Sequence, residues 1–174
     1  MNNHFIRTAL VFALCGAPLA YSQKPAATLS HSDSSFLKDA AEGNMDEVKL
    51  GEMAQQKATN EKVKEFGKRM VDDHSKMAND VQSLASQKNI TLPADITTTE
   101  KASNKLLSTK SGDSFDKSYI SAMLKDHKDD IQAFEKEANS GTDPDVRALA
   151  SKALPTLREH LKMAEDVARQ VGAG

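Results

Sequence analysis

Three of the five histidines in this 174-residue chain stand in nearly the same local setting. They close the segments Met70-Val71-Asp72-Asp73-His74, Met123-Leu124-Lys125-Asp126-His127 and Thr156-Leu157-Arg158-Glu159-His160. Each follows an acid and comes three residues after a branched apolar residue. Small or apolar residues recur seven positions before (Gly67, Ile120, Ala153) and seven after (Val81, Phe134, Val167). At 100° per residue these neighbours bracket the histidine, so each imidazole projects from the middle of a core-facing stripe. Asp73, Asp126 and Glu159 fall about 100° round the helix, at the flank.

A fourth position completes the set. Among Asn44, Gly51 and Ala54, where an apolar residue belongs, stands Glu47. Glu47 and His74 are centred on a turn near Asn60, and His127 and His160 on a turn near Asp143. In antiparallel hairpins such pairs lie at similar depth, within about one helical turn or 5.4 Å. One carboxylate and three imidazoles can therefore meet inside a bundle. Zinc, copper, nickel, manganese and iron all accept such donors. A metal-free network of buried His and Glu, fixing helix register, is the competing reading. Met70, Met77, Met123 and Met163 flank the same stripes and read as core filler.

Four amphipathic segments must carry these residues. The first opens at a cap on Asp33 or Ser34 and runs through Phe36, Leu37, Ala40 and Ala41 to Ala58. The second spans Val63 to about Lys88. Residues 89–113 form a long connection, with Pro93 and Thr97-Thr98-Thr99 as loop and a short helix from Glu100 to Leu107. The third segment, entered through Ser111-Gly112-Asp113, carries Phe115 to Ala138 and stops at Asn139-Ser140-Gly141. Asp143-Pro144 starts the fourth, which reaches about Val171, with a kink expected at Pro155. Two short links and one long one predict an all-α, ferritin-like four-helix bundle: two antiparallel hairpins joined by a crossover.

The remainder of the chain bounds the setting. Arg7, the apolar run Ala9–Leu14 and Ala20-Tyr21-Ser22 read as a signal peptide over 1–22, cleaved near Ser22. Residues 23–32 read as a flexible leader, and 33–172 as the folded domain. Cleavage removes the single cysteine, Cys15, so the mature chain has neither disulfide nor thiol chemistry. It also removes Arg7 from 23 basic residues, leaving 22 against 25 acidic ones, a net of −3. Basic tails, phosphate-binding loops, CxxC pairs and nucleophile signatures are absent from the sequence, and no nucleic-acid partner is expected. No segment is apolar for the roughly 20 residues a transmembrane helix needs.

The stretches Phe36–Ala41, Val63–Phe66, Met70–His74 and Leu154–Leu161 together resemble one family of exported bacterial proteins, domain of unknown function 4142. The likeness covers about residues 34–170. It implies a ferritin-like fold and an envelope location, periplasmic or at the outer membrane, and carries no activity. Ferritin-like di-iron centres use Glu-x-x-His pairs. Here Val71, Leu124 and Leu157 stand three before the histidines, so di-iron chemistry and iron storage are not expected. Three functional readings result. The first is a non-enzymatic exported bundle holding one transition-metal ion through Glu47, His74, His127 and His160, for metal handling or envelope stress. The second is an interaction module with a metal-free network, and the third a single-metal enzyme opening beside Pro155.

Overall fold

A computed structural model describes residues 29–173, and the predicted signal peptide and most of the leader lie outside that range. Five helices follow in order: α1 (His31–Lys57), α2 (Glu61–Gln87), α3 (Thr98–Ser108), α4 (Gly112–Ser140) and α5 (Pro144–Val171). α1 pairs with α2 and α4 with α5 as antiparallel hairpins. α2 lies beside α5 and α1 beside α4, while α3 rests on α4 and α1. The connection from α2 to α4 travels the length of the bundle, so those two helices run parallel.

Local chemistry explains the boundaries. Asn60 caps α2 through Lys62 N, and Asp143 caps α5 through Asp145 N and Val146 N, with Pro144 in the first turn, where its missing N–H costs nothing. α5 runs unbroken through Pro155. Two boundaries differ from expectation. Ser30, rather than Asp33 or Ser34, caps α1, so the helix takes in two residues assigned to the leader. Thr97 opens α3 by a capping box with Glu100, each side chain accepting from the other's backbone N–H, and Thr98 and Thr99 are helical rather than loop.

Asp33 is released for another task. Its carboxylate accepts from Thr142 N at 2.9 Å and Asp143 N at 3.1 Å, closing the turn of the other hairpin. Asp116 on α4 returns the favour, accepting from Thr59 Oγ1 at 2.8 Å and Asn60 N at 2.9 Å. Each hairpin thus secures the other's turn. α1 and α2 also approach closely at Gly51 and Gly67, where a Cβ on Gly51 would come within 2.6 Å of the Gly67 carbonyl oxygen.

The core is layered along the bundle axis. One apolar layer contains Leu50, Val63, Phe66, Met70, Phe115, Tyr119, Met123 and Val167. The other contains Phe36, Leu37, Val81, Phe134, Val146 and Leu157. Between them every long helix contributes buried polar groups: Asn44 and Glu47 from α1, His74 from α2, His127 from α4 and His160 from α5. Apolar burial drives the assembly from both sides, at roughly 25 cal/mol per Å². The polar waist is carried by it.

Candidate metal centre

His127 and His160 are wholly buried and His74 is 2 % exposed. Their rings form a near-equilateral triangle, with centroids 5.3, 5.3 and 5.6 Å apart. One ring nitrogen from each lies within 4.8 Å of the other two.

The outward-facing nitrogens all have partners, which assign the tautomers. His74 Nδ1 lies 3.0 Å from Asn44 Oδ1. Asn44 Nδ2 donates to Ala40 O at 2.6 Å, so its amide oxygen is the atom turned to the ring and His74 Nδ1–H is the donor. His127 Nδ1–H donates to Met123 O at 3.0 Å. His160 Nε2–H donates to Asp73 Oδ2 at 3.1 Å. Each imidazole therefore spends its proton outward. Three lone pairs remain, on His74 Nε2, His127 Nε2 and His160 Nδ1.

Those lone pairs are not satisfied within the protein. His74 Nε2 is buried with no hydrogen-bond partner. His127 Nε2 and His160 Nδ1 face each other at 3.3 Å, an acceptor against an acceptor. A proton shared there would require an imidazolium, and burial opposes that charge. Burial, then repulsion from the other two rings, holds His74 well below the usual histidine range. Burial and His160 lower His127 to about 4. Burial also lowers His160, although Asp73 works the other way.

A cation fits the donors. Two nitrogens at about 2.0–2.1 Å from one tetrahedral ion sit about 3.4 Å apart, close to the His127–His160 separation. The His74 nitrogen lies within 4.8 Å of the other two, so it must approach by at most about 1.4 Å, the difference between 4.8 and 3.4 Å. Each histidine of the triad has an outer partner of the kind that orients the ring in metal sites: an amide, a backbone carbonyl and a carboxylate. Asp73 itself is secured. Burial pushes its carboxyl up, but Arg69, His160 and Lys76 outweigh it and hold it at about 2.

Glu47 stands beside this triad and not within it. Its Oε1 is 3.8 Å from His127 Nδ1, on the side of the ring that serves Met123 O. Burial raises its carboxyl well above the usual range, and Asp130, Asp126 and Asp46 add to the effect. Burial of both groups therefore works against an ion pair between Glu47 and His127. Outward from Glu47, burial raises Asp130 to about 7 and Asp46 to about 6, each with help from neighbouring acids.

Asn44, the Met123 carbonyl and the His160 pairing of Asp73 lay beyond sequence reasoning. Asn44 showed only as a neighbour of Glu47 in the stripe, and Asp73 as a flank residue. Met70 and Met123 fill the apolar layer that holds Phe66 and Tyr119, Met163 packs against it, and Met77 packs against the layer that holds Phe36 and Phe134.

The molecule is thus an all-α bundle built round a buried histidine triad that could bind a metal. The chain belongs to the family described as Domain of unknown function (DUF4142), whose model matches residues 18–167. Among solved structures it is similar to a DUF305 protein from Streptomyces coelicolor, with TM-score 0.70 and 15% identity over 82% of this chain and 93% of the other. A DUF305 fragment from Deinococcus radiodurans gives TM-score 0.73 and 12% identity over 82% and 98%. These likenesses show the shared fold alone. No curated protein matches the chain.

Proposed function

We propose that this chain is an exported, non-enzymatic protein that holds one transition-metal ion through His74, His127 and His160. The observation carrying the reading is the convergence of three neutral, buried imidazoles with their protons directed away from the centre. Such donors favour the imidazole-preferring ions zinc, copper, nickel and iron over manganese. A bound ion would supply concentrated positive charge where the protein has only lone pairs. Asn44, Met123 O and Asp73 hold the rings in register for it. Glu47 stays outside the donor set, because the nitrogen it faces is already donating.

Export rests on the pattern of residues 1–22, and places the chain in the periplasm or at the outer membrane. Among the described residues no helix is long and apolar enough to cross a membrane. Metal handling or tolerance of envelope stress suits a sealed site of this kind. Calorimetric titration of metal-stripped protein with zinc and copper tests the reading. Wild type should bind one equivalent, and His127→Ala should bind at least a hundredfold more weakly. Equal affinity in the two proteins would remove the triad from the account.

A further inference from the structure

Outside the triad, α1, α3 and α4 line a half-open cleft of about 430 Å³. Six carboxylates line it, Asp46, Glu47, Glu100, Asp126, Asp129 and Asp130, against one cationic side chain, Lys110. Lys110 does not neutralise them, since its Nζ is directed to Ser118 Oγ at 2.6 Å. Asp129 pairs with Lys125, and Glu100 is occupied in the cap of α3. Asp46 accepts from Asn104 alone. Among the described residues Asp46, Asp126 and Asp130 form no ion pair with any lysine, arginine or histidine, although all three are half-buried.

Glu47 supplies an independent sign that something is to be bound. It forms the inner end of the cleft, is only 4 % exposed, and its buried Oε2 has no hydrogen-bond partner. A buried carboxyl oxygen left unpaired costs free energy that a solvated or cationic neighbour would recover. Crowding several acids round a partly closed cavity without counter-charge costs more.

We propose that this cleft binds a hydrated, oxygen-preferring divalent cation through Asp46, Asp126 and Asp130, with Glu47 at its inner end. Hard carboxylate oxygens select the manganese, magnesium and calcium class, unlike the imidazole triad. Among the described residues the triad is the only group of three or more His/Cys/Asp/Glu residues with donor atoms all within 4.8 Å of one another. The acids therefore stand too far apart to strip an ion, and the cavity leaves room for retained water, as small hard cations prefer. The proposal also gives α3 a purpose, because the crossover helix is one wall of the site. It does not depend on metal binding by the histidines.

Manganese(II) followed by electron paramagnetic resonance is the probe, added to the purified mature chain at pH 7.5. The proteins are wild type, Asp46→Asn/Asp130→Asn and His160→Gln. Wild type should remove one equivalent of manganese from the free signal, and excess magnesium or calcium should release it. The double variant should bind at least tenfold more weakly, and His160→Gln within twofold of wild type. Asp126→Asn alone, whose change is milder, should weaken binding at least threefold and guards against misfolding of the double variant. Folding is checked by circular dichroism. No manganese uptake by wild type overturns the proposal. So does equal uptake by a folded double variant, or uptake lost only in His160→Gln; the last result would leave the triad reading standing.

Discussion

The two turn-capping aspartates at the ends of the bundle and the polar groups of its waist are comparably buried and are treated in opposite ways. At the ends, Asp33 and Asp116 are 0 % and 2 % exposed, yet each carboxylate is covered by the donors of a turn in the opposite hairpin. At the waist, His74 Nε2 and Glu47 Oε2 are as deeply buried and have nothing to bond. Tyr119 OH, in the adjoining apolar layer, and Glu137 Oε1, near the end of α4, share that condition. Buried polarity that is saturated by backbone holds a fold together. Buried polarity that is oriented on one side and bare on the other is arranged for something the protein itself does not supply.

The largest effect on stability is expected at an end. Asp116→Ala strips the acceptor from Thr59 and Asn60, leaving backbone donors unpaired in a closed turn. Denaturant melting should show a loss of about 3 kcal/mol, since hydrogen bonds to a charged group contribute about 1.5–3 kcal/mol each. Zinc affinity should stay within twofold. A parallel collapse of metal binding would mean that ends and waist are not separable.

Acid should attack the waist. The folded triad resists protonation, with His127 lowered to about 4, while the unfolded chain takes up protons from about 6.5 downward. The unfolded state then binds more protons, so this contribution to stability is complete above about pH 6.5 and is lost as pH falls toward 4. For His127 alone the loss is about 3 kcal/mol at most. Asp130 has the reverse sign. Raised to about 7, it favours the folded state at low pH and opposes it as pH rises from about 4 through 7. Asp130→Asn should therefore stabilise the metal-free protein at pH 8 by on the order of 2 kcal/mol and change little at pH 4, measured by thermal melting across pH.

Much of this division could be read in the chain before folding. Helical spacing of apolar residues located the four long helices, and the shared context of His74, His127 and His160 put them on buried stripes at matching depths. Glu47 was equally legible as a buried acid. Its distance from the triad was not, because periodicity defines which face of α1 is covered but not how α1 is rotated against α4. Asp33 was read as a helix cap for a related reason. Its chemistry suits any set of free N–H groups, and the groups it caps lie more than a hundred residues away. Thr97 and Glu100 have the spacing of a capping box, which the β-branched run Thr97–Thr99, read as loop, obscures. Ring orientation by Asn44 and by Met123 O depends on rotamers and backbone geometry that no spacing encodes.

Smaller effects sharpen the contrast. Asn44→Ala leaves His74 Nδ1 without its acceptor but does not touch the central nitrogens. Zinc affinity should fall about 10- to 100-fold, the usual consequence of removing an outer partner. An unchanged affinity would show that the ring is held by packing alone. The Lys152–Asp80 pair, exposed at the surface, provides the floor. Lys152→Ala should move the melting free energy by less than about 0.5 kcal/mol and zinc affinity not at all.

The most direct measurement is X-ray absorption at the zinc edge of stoichiometrically loaded wild-type protein. Three imidazole nitrogens at about 2.0–2.1 Å should dominate the first shell, with the outer-ring scattering that imidazole produces. A shell made only of oxygen, or one with a single imidazole, would contradict a metal centre built from His74, His127 and His160.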